Sequence, residues 1–546
     1  MIKSLAFWDV LALLVPFSVY AAWWLYQCFG FIYRTPLRTL PGPAAPSWIY
    51  GNLKEIEAVE DTALPDRWFE QYGKCFMDRE FFMTPRLWTL DPRAINHILT
   101  RSDDYQRPSE GRKLLMQVVG NGLLFAEGDE HRKQRRIMNP AFGPAQIRDL
   151  TEVFVQKAVE AGHQSAEHAH GPEEVDVMKD FSNLTLDVIG LAGFNYDFHA
   201  LNSDDKPTEL GVAFRSLFAN SNVSLLGRLI AAFPILFRRL PAERARNMRE
   251  ASKVIFNVGM QLVKEKKAVV ERSASEKHLD GVERKDLQGR DLLTLLIRAN
   301  MAKDLPGNQK LSDEQVVEQV PAFLVGGHVT TSNSATWALY ALSQQPAIQQ
   351  KLRDELLTVQ TDTPTMEELN ALPYLDAVVR EILRLHPPAT MLMREAAKDD
   401  VIPLSEPLTD RYGKVHYGIK IAKGNKVVIP ILAVHRSKAL WGEDAMEFKP
   451  ERWEQTPEAI AGIPGVWAHL LTFIGGPRAC IGYRFSLVEL KAILFQIIRS
   501  FEFELAVPPE DIVIRTYPLQ RPSLRNLPAK DGFQLPIKIR AYKAVA

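Results

Sequence analysis

The sequence predicts a mostly α-helical protein with small β-sheets. Long amphipathic stretches fill residues 130–400, where apolar residues recur at the spacing of a helix. Short runs of β-type residues occur near residues 75–90 and 510–542. Hydrophobic residues make up 46% of the chain and charged residues 24%, as in ordinary globular proteins that bury a large core.

Charge and cysteine content exclude several classes of protein. The chain carries 66 basic and 66 acidic residues, so its formal net charge is zero and nothing indicates nucleic-acid binding. The three cysteines, Cys28, Cys75 and Cys480, form no disulfide framework and are typical of a reducing compartment. No CxxC or HExxH motif supports a zinc site.

The N-terminus predicts a membrane anchor over residues 1–33. No charged residue occurs from Val10 to Tyr33, which is long enough to cross a hydrocarbon core of roughly 30 Å. A cleaved signal peptide is the alternative, but its apolar core is shorter than this run. Arg34 and Arg38 follow the run, whereas only Lys3 precedes it. The positive-inside rule therefore predicts a single-pass membrane protein whose main domain lies in the cytosol.

Two further divisions follow the predicted anchor. Residues 34–52 contain the proline-rich run LPGPAAPSWIYGN, which predicts a stiff hinge. The remaining residues, 53–546, are predicted to form one large domain. Within it, the segment from Glu271 to Asp291 is rich in charged residues and contains interspersed glycines. This composition predicts a surface loop between helices.

Residues 311–346 predict one long buried helix that is locally weak in its middle. Ser312 and Gln315 form a capping box at its start, and Pro346 marks its end. Pro321 removes a backbone donor, and Gly326-Gly327 costs about 1 kcal/mol per residue relative to alanine. The weak middle indicates either an opening beside a bound ligand or a kink that serves packing.

The region around Cys480 has the most informative residue spacing of the chain. Phe473, Gly476, Arg478, Cys480 and Gly482 precede an apolar helical pattern. A thiolate at a helix N-terminus is stabilised by free backbone N–H groups and by the helix dipole. The glycines allow backbone to approach a flat ligand, and the arginine offers a cation for a carboxylate.

This spacing resembles FxxGxRxCxG, the haem-loop motif of the cytochrome P-450 monooxygenases, and fills every fixed position of it. The resemblance implies the fold of that family and a haem b whose iron takes Cys480 as its axial ligand. It also implies that Phe473 packs beside the sulfur. A thiolate ligand increases electron density on the iron and favours O–O cleavage.

GGHVTT, residues 326–331, resembles the family's distal-helix motif. The resemblance implies that Gly327 leaves space over the iron and that the Thr330 hydroxyl relays protons to oxygen. Val329 departs from the motif, because the family usually has an acid there. His328 is a candidate proton donor in its place, and an ordinary hydrogen-bonded histidine is the alternative.

Two groups of charged residues also match the family. The resemblance implies a structural triad of Glu381, Arg384 and Arg452, of which the first two share a helix face at i and i+3. It further implies that the haem propionates are held by cations or N–H donors. These candidates are Arg478, Arg394, Arg135, and His131 where the family usually has tryptophan.

The predicted substrate contacts are uncharged and mostly apolar, which favours a lipophilic substrate. They are Ala322, Phe323, Gly326, Thr330, Thr390, Met391 and Leu392. Ser224 to Pro241 is an amphipathic segment that suits either a bilayer surface or ordinary helix packing. Arg132, Lys133 and Arg136 form a basic face, either solvated or used to dock an electron donor.

By resemblance, the chain is expected to be a membrane-anchored, haem-dependent monooxygenase similar to fungal microsomal members. It would insert one oxygen atom from O₂ into a lipophilic substrate, a terpenoid or another secondary metabolite, with NADPH electrons delivered by a partner reductase. A haem-thiolate isomerase or dehydratase acting on a peroxide or epoxide is the first alternative, and only Val329 favours it. A non-catalytic membrane haem-binding protein is the second, and the complete motifs argue against it.

Overall fold

A computed structural model describes most of the chain. The described residues are 34–56, 63–109, 120–168, 173–202, 208–218, 243–276, 291–303, 305–515, 519–526 and 532–542, with a few isolated positions besides.

Helices account for most of the described chain, as the sequence predicts. They are α1 (Leu53–Ile56), α2 (Leu64–Tyr72), α3 (Pro92–Thr100), α4 (Gly128–Met138), α5 (Pro144–His168), α6 (Val177–Phe194), α7 (Glu209–Phe218), α8 (Glu243–Glu276), α9 (Leu292–Met301), α10 (Asp313–Val317), α11 (Gln319–Leu324), α12 (Thr330–Ser343), α13 (Pro346–Leu356), α14 (Met366–Asn370), α15 (Pro373–Leu385), α16 (Ile431–Arg436), α17 (Lys438–Trp441) and α18 (Tyr483–Ser500).

The strands are short and form small sheets. They are β1 (Cys75–Arg79), β2 (Pro85–Thr89), β3 (Tyr105–Gln106), β4 (Glu173–Asp176), β5 (Leu392–Ala396), β6 (Asp400–Thr409), β7 (Val415–Ile421), β8 (Lys426–Ile429), β9 (Phe501–Leu505), β10 (Ile512–Arg515), β11 (Arg521–Leu524) and β12 (Pro536–Ala541). The runs near residues 75–90 and 510–542 are therefore confirmed as strands, whereas the sequence reading missed β5 to β8.

The chain forms two compact units. The first comprises Met1–Gln106 and Met391–Pro430. Its sheet has the order β1-β2-β8-β5-β3, with β2 and β8 parallel and the other pairs antiparallel. Phe76 stacks on Trp88 with ring centroids 5.8 Å apart, and Trp68 meets both rings edge-on. This aromatic cluster is buried and holds α2 on the sheet.

The proline-rich stretch packs into the first unit. Leu37 is fully buried, and the N–H of Met77 in β1 donates to the carbonyl of Pro41 at 2.9 Å. A Cβ on Gly42 would lie 1.9 Å from the Met77 carbonyl oxygen, so only glycine permits this approach. Residues 36–42 are therefore held against the sheet and do not form a free spacer.

The second unit comprises Arg107–Thr390 and Ile431–Ala546, and contains most of the helices. Its core is formed by α5, α6, α12 and α18, whose inward faces are buried. Phe154 of α5 and Phe485 of α18 pack edge to face with ring centroids 4.6 Å apart. A sheet of order β4-β12-β9 and the hairpin β10-β11 complete this unit.

The predicted long helix is a run of consecutive helical segments from α10 to α12. The capping box of Ser312 and Gln315 is confirmed, and Pro346 opens the next helix as its first residue. Between α11 and α12, Val325–Val329 adopts a π-helical turn, which contains the weak Gly326-Gly327 pair. A π-turn widens the backbone locally and is frequent at functional sites.

Three predicted features lie outside the described residues. They are the membrane anchor over residues 1–33, apart from isolated positions, the amphipathic segment over residues 224–241, and most of the loop over residues 271–291. Within the part of the chain that the structure describes, no helix combines the length and apolar character needed to span a bilayer.

Candidate active site around Cys480

The cysteine loop is fixed by its own backbone. The N–H of Cys480 donates to the carbonyl of Phe473 at 2.8 Å, which closes the loop just before α18 begins. Gly476 has a φ of +70°, a conformation that favours glycine. Gly475 was missed by the sequence reading, yet a Cβ there would lie 1.7 Å from the Pro464 carbonyl oxygen. The loop therefore needs both glycines for its shape.

The Cys480 thiol lies deep in the protein and still has accessible surface. Burial raises its pKa, while the N–H of Gly482 and the positive charge of Arg135 act in the opposite direction and favour the thiolate. A bound metal ion would complete this stabilisation, because coordination deprotonates a thiol.

Arg135 and Arg478 hold the loop from two sides. Arg135 of α4 donates through Nη1 to the carbonyl of Ala479, and burial lowers its pKa. Arg478 donates to the carbonyl of Ala126 at 2.5 Å and forms an ion pair with Glu127. The predicted propionate ligand Arg478 thus already has a carboxylate partner, whereas Arg135 is placed beside the cysteine. His131 is buried on the same helix as Arg135.

Two arginines that the sequence reading missed lie in this charged region. The backbone N–H of Arg107 donates to Glu127 at 3.2 Å, but its Nη1 atom is buried without a hydrogen-bond partner. The Nε atom of Arg112 is likewise buried and unpartnered. Burial and the charge of Arg112 lower the pKa of Arg107 to about 10. Only the structure reveals this pair, since isolated arginines carry no motif in the sequence.

These residues fit a haem. Buried cations without a counter-charge are unfavourable unless an anion joins them. A haem supplies two carboxylates and an iron that binds thiolate, which matches Arg107, Arg112 and Cys480. The donor set therefore suits haem b better than a bare metal ion. Among the described residues no cluster of three or more metal-ligating side chains occurs.

In the distal motif, residues 326–331, one glycine borders open space and the other packs against a neighbouring helix. The Thr330 hydroxyl donates to the carbonyl of Gly326 at 2.6 Å, one helical turn earlier. A Cβ on Gly326 would meet nothing within 4 Å, so this glycine borders open space. A Cβ on Gly327 would lie 2.6 Å from the Ile189 side chain of α6. Gly326 therefore borders open space, whereas Gly327 permits close helix packing; space for a ligand over the iron at Gly327 stays a prediction.

His328 joins the π-turn to α6. Its Nε2 atom lies 2.8 Å from the Ser182 hydroxyl, and its carbonyl accepts from the Thr185 hydroxyl at 3.2 Å. The residue is buried. The hydrogen-bonded interpretation of His328 is therefore the one observed, with a serine hydroxyl as partner. Val329 is also buried, and offers no titratable group.

The predicted triad is assembled around a fully buried carboxylate. Arg384 binds Glu381 through two hydrogen bonds, of 2.9 Å from Nε and 2.7 Å from Nη2. Arg452 donates to the same carboxylate from Nε at 3.3 Å. The N–H of Lys449 and the indole of Trp453 complete its hydrogen bonding, at 3.0 and 3.1 Å. Such a network is rigid because every acceptor is occupied.

His435 is a further residue that the sequence reading missed. Its Nε2 atom accepts the N–H of Leu471 at 2.8 Å, and its Nδ1 atom lies 3.1 Å from the carbonyl of Arg384. Burial, together with the charge of Arg384, lowers its pKa to about 3, so the ring is neutral. His435 thus links the triad to the segment that carries Phe473. Its position in the sequence matches no motif.

The predicted substrate contacts belong to both units. In the second unit, Ala322 is half-buried, and Phe323 packs against Phe142 and Phe194 with ring centroids 5.7 and 6.2 Å away. Thr390 is buried, and its carbonyl accepts the N–H of Leu432 at 2.9 Å. The remaining substrate candidates, Met391 and Leu392, lie in the first unit. The predicted propionate ligand Arg394 lies in the same unit and is buried.

The Cys480 loop, the triad of Glu381, Arg384 and Arg452, and the π-turn at Val325–Val329 (the distal turn) together define a haem-thiolate enzyme. Comparison with known proteins shows the family. The cytochrome P-450 family model matches residues 41–527. The chain is 51% identical over 519 residues to cytochrome P-450 monooxygenase 205 of Postia placenta, covering 94% of each protein. It is 36% identical over 559 residues to cytochrome P-450 monooxygenase claQ of Ampulloclitocybe clavipes, covering 99% of each. The chain belongs to the cytochrome P-450 family and is an oxygen-incorporating, haem-dependent oxidoreductase.

Proposed function

We propose that this enzyme inserts one oxygen atom from O₂ into a lipophilic substrate, using NADPH electrons delivered by a partner reductase. The observation that supports the proposal most is the Cys480 thiol, with Arg135 beside it and the loop locked to the triad. When bound, the haem supplies the activation of O₂.

Each part of the site has a distinct task in this proposal. Cys480 would hold the iron, and the N–H of Gly482 together with the charge of Arg135 favours the thiolate against burial, which raises the pKa of the thiol. Arg107 and Arg112 would hold the propionates, joined by His131. Thr330 presents a hydroxyl that donates to Gly326 and can reorient to hold a proton at Oγ1. The triad and His435 keep the loop rigid, so the sulfur does not move during turnover.

The proposed substrate is a lipophilic molecule, such as a terpenoid or another secondary metabolite. Ala322, Phe323 and Gly326 offer apolar surface without charge. An apolar ligand gains by leaving water and leaves no charge uncompensated in such a site. The Thr330 hydroxyl, which donates to the Gly326 carbonyl, suits a single polar group on the substrate.

We further propose that the enzyme is anchored in the endoplasmic reticulum membrane, with the catalytic domain in the cytosol. The uncharged run from Val10 to Tyr33 and the arginines after it support this location. The exposed side chains of Arg132 and Arg136 on α4 offer a cationic face for an acidic reductase. Membrane attachment would place the enzyme beside lipid-dissolved substrates and a membrane-bound reductase.

One observation favours a second candidate, an isomerase or dehydratase that needs no reductase. Val329 lacks the acid on which proton delivery to oxygen usually depends in this family. Retention of Thr330 argues for the monooxygenase, as do the monooxygenase names of the relatives.

The test uses membranes from cells that express the full chain with a microsomal reductase. A panel of terpenoid, steroid, fatty-acid and aromatic compounds is incubated with and without NADPH, and product masses are recorded. A product heavier by one oxygen atom, formed only with NADPH and absent from the Cys480→Ala variant, is expected. A rearranged product of unchanged mass, formed from a peroxide without NADPH, would favour the isomerase and contradict the monooxygenase.

A further inference from the structure

Ile474, between Phe473 and the glycines of the cysteine loop, has a backbone conformation that is rare for its residue type. Its φ is +58° and its ψ is −175°. This region is essentially restricted to glycine, because a Cβ atom is crowded there by the neighbouring backbone, and a β-branched side chain adds to the crowding. Gly475 and Gly476 follow directly, so the chain has glycine at the next two positions but not at the strained one.

The segment that precedes the loop holds Ile474 in this conformation. The carbonyl of Ile474 accepts the N–H of Val466 at 3.0 Å. Gly475 lies so close to Pro464 that a Cβ on it would be 1.7 Å from the Pro464 carbonyl oxygen. The side chain of Ile474 is half-buried. Packing and hydrogen bonding with residues 464–466 therefore maintain a backbone geometry that an isolated chain would avoid.

The strain at Ile474 has a direct consequence for Cys480. Ile474 shares a peptide group with Phe473, and both ends of that group are hydrogen-bonded. Its N–H donates to the Leu471 carbonyl at 2.9 Å, and its carbonyl, that of Phe473, accepts the N–H of Cys480 at 2.8 Å. The φ of Ile474 sets the orientation of this peptide group relative to the residues that follow. An ordinary negative φ would turn the Phe473 carbonyl away from Cys480 and break the bond that closes the loop.

Two conformations of the loop are therefore close in free energy. In the closed conformation, which is the one observed, the hydrogen bond between Phe473 and Cys480 forms and Ile474 is strained. In a relaxed conformation the strain is relieved and that hydrogen bond is lost. The strain of a non-glycine residue in this region and the net free energy of one hydrogen bond are of the same order. A ligand that binds Cys480 in the closed conformation alone would shift the balance towards that conformation.

We propose that Ile474 gives the cysteine loop two states, a closed one that haem binding selects and a relaxed one that the haem-free protein adopts. Ile474 is a positioning residue in this scheme, because it acts on Cys480 through the Phe473 carbonyl. The inference goes beyond the proposed function, since it concerns how haem is gained and retained and is the same for any substrate.

The first test compares Ile474→Gly with Ile474→Ala in the full chain. The two variants differ by one methyl group, which alanine places in the crowded region and glycine does not. At an ordinary backbone conformation glycine is the less stabilising of these two residues. If the closed state is strained, Ile474→Gly should instead release haem to excess apomyoglobin about fivefold or more slowly than Ile474→Ala.

The second test measures the Cys480 N–H itself and needs neither haem nor activity. Amide hydrogen exchange of the haem-free variants is followed by mass spectrometry of overlapping peptides that contain Cys480. Exchange at Cys480 should be slower in Ile474→Gly than in Ile474→Ala, because glycine keeps the N–H bonded to the Phe473 carbonyl without haem. Wild type should exchange at least as fast as Ile474→Ala, since its β-branched side chain is the more strongly crowded.

Ile481 provides the matched control, because it directly follows Cys480 and has an ordinary negative φ. Ile481→Gly should release haem no more slowly than Ile481→Ala, and exchange at Cys480 should be no slower. A slower release from Ile481→Gly would mean that glycine acts in the same way elsewhere in the loop, which would contradict the assignment to Ile474.

Equal haem release or equal exchange in Ile474→Gly and Ile474→Ala would overturn the proposal, because the strain would then be the same with and without haem. If either variant fails to load haem, exchange in the haem-free proteins decides the question. Absence of any oxidised product from wild type would instead refute the proposed function and leave both measurements unaffected.

Discussion

The two sides of the site differ in how completely their polar groups are paired. On the cysteine side, Glu381 accepts hydrogen bonds from two arginines, an indole and a backbone N–H, and His435 ties that network to the loop. On the distal side, Val325–Val329 forms a π-turn, and the Thr330 hydroxyl donates to the Gly326 carbonyl beside open space. The cysteine side is therefore a closed hydrogen-bond network, whereas the distal turn borders open space.

The largest expected effect comes from removing the buried carboxylate at the centre of the hydrogen-bond network on the cysteine side. Glu381→Ala leaves the fully buried Arg384 without its carboxylate and removes one of the two that pair with Arg452, which should lower the free energy of unfolding by about 3–5 kcal/mol. We expect little or no haem-loaded protein. The control Glu367→Ala removes an exposed carboxylate paired with Arg148 and should change stability by less than about 1 kcal/mol. Denaturant unfolding and haem content measure both, and a normal yield of loaded Glu381→Ala would refute the structural role of the triad.

A second prediction separates haem binding from protein stability. Arg107→Ala removes a half-buried cation whose Nη1 atom is buried and unpartnered and which has a like-charged neighbour. We therefore expect haem content to fall, while thermal unfolding of the apoprotein shifts little. Arg148→Ala, an exposed arginine of α5, is the control and should alter neither quantity. Haem retention equal to wild type in Arg107→Ala would exclude this arginine as a propionate ligand.

The adjacent glycines of the π-turn offer a matched pair. Gly327→Ala would place its methyl group 2.6 Å from Ile189, so we expect a loss of about 1–3 kcal/mol from overpacking. Gly326→Ala meets nothing within 4 Å and should leave stability unchanged or raise it by up to about 1 kcal/mol. Its methyl group should instead alter which substrates are oxidised. Equal destabilisation by both changes would contradict this division of tasks.

The smallest expected effect is on how the free energy of unfolding depends on pH, through His435 of the cysteine side. The pKa of His435 is about 3 in the folded protein, below the usual value of 6.5, so the unfolded chain binds a proton more readily. The contribution of His435 to stability is therefore full above about pH 6.5 and declines as pH falls towards 3. Denaturant unfolding at pH 7 and pH 5 should show a smaller decline for His435→Gln than for wild type. An unchanged decline would assign the pH dependence to other groups.

Local sequence patterns predicted much of this molecule. The capping box at Ser312, the break near Gly326 and the pairing of Glu381 with Arg384 depend on residues that are close in sequence or follow a helix period. The roles of Arg107 and His435 depend on residues brought together by folding, and no periodicity indicates such contacts. Gly475 was missed because its constraint comes from Pro464, eleven positions earlier in the chain.

The most direct measurement is the absorption spectrum of the reduced, CO-bound protein, for wild type and for Cys480→Ser. If Cys480 is the thiolate ligand held by the cysteine side, wild type should show the red-shifted Soret band of thiolate-ligated haem, and Cys480→Ser should lose it. A wild-type spectrum without that band, or the same band in Cys480→Ser, would contradict the assignment of Cys480 as the iron ligand.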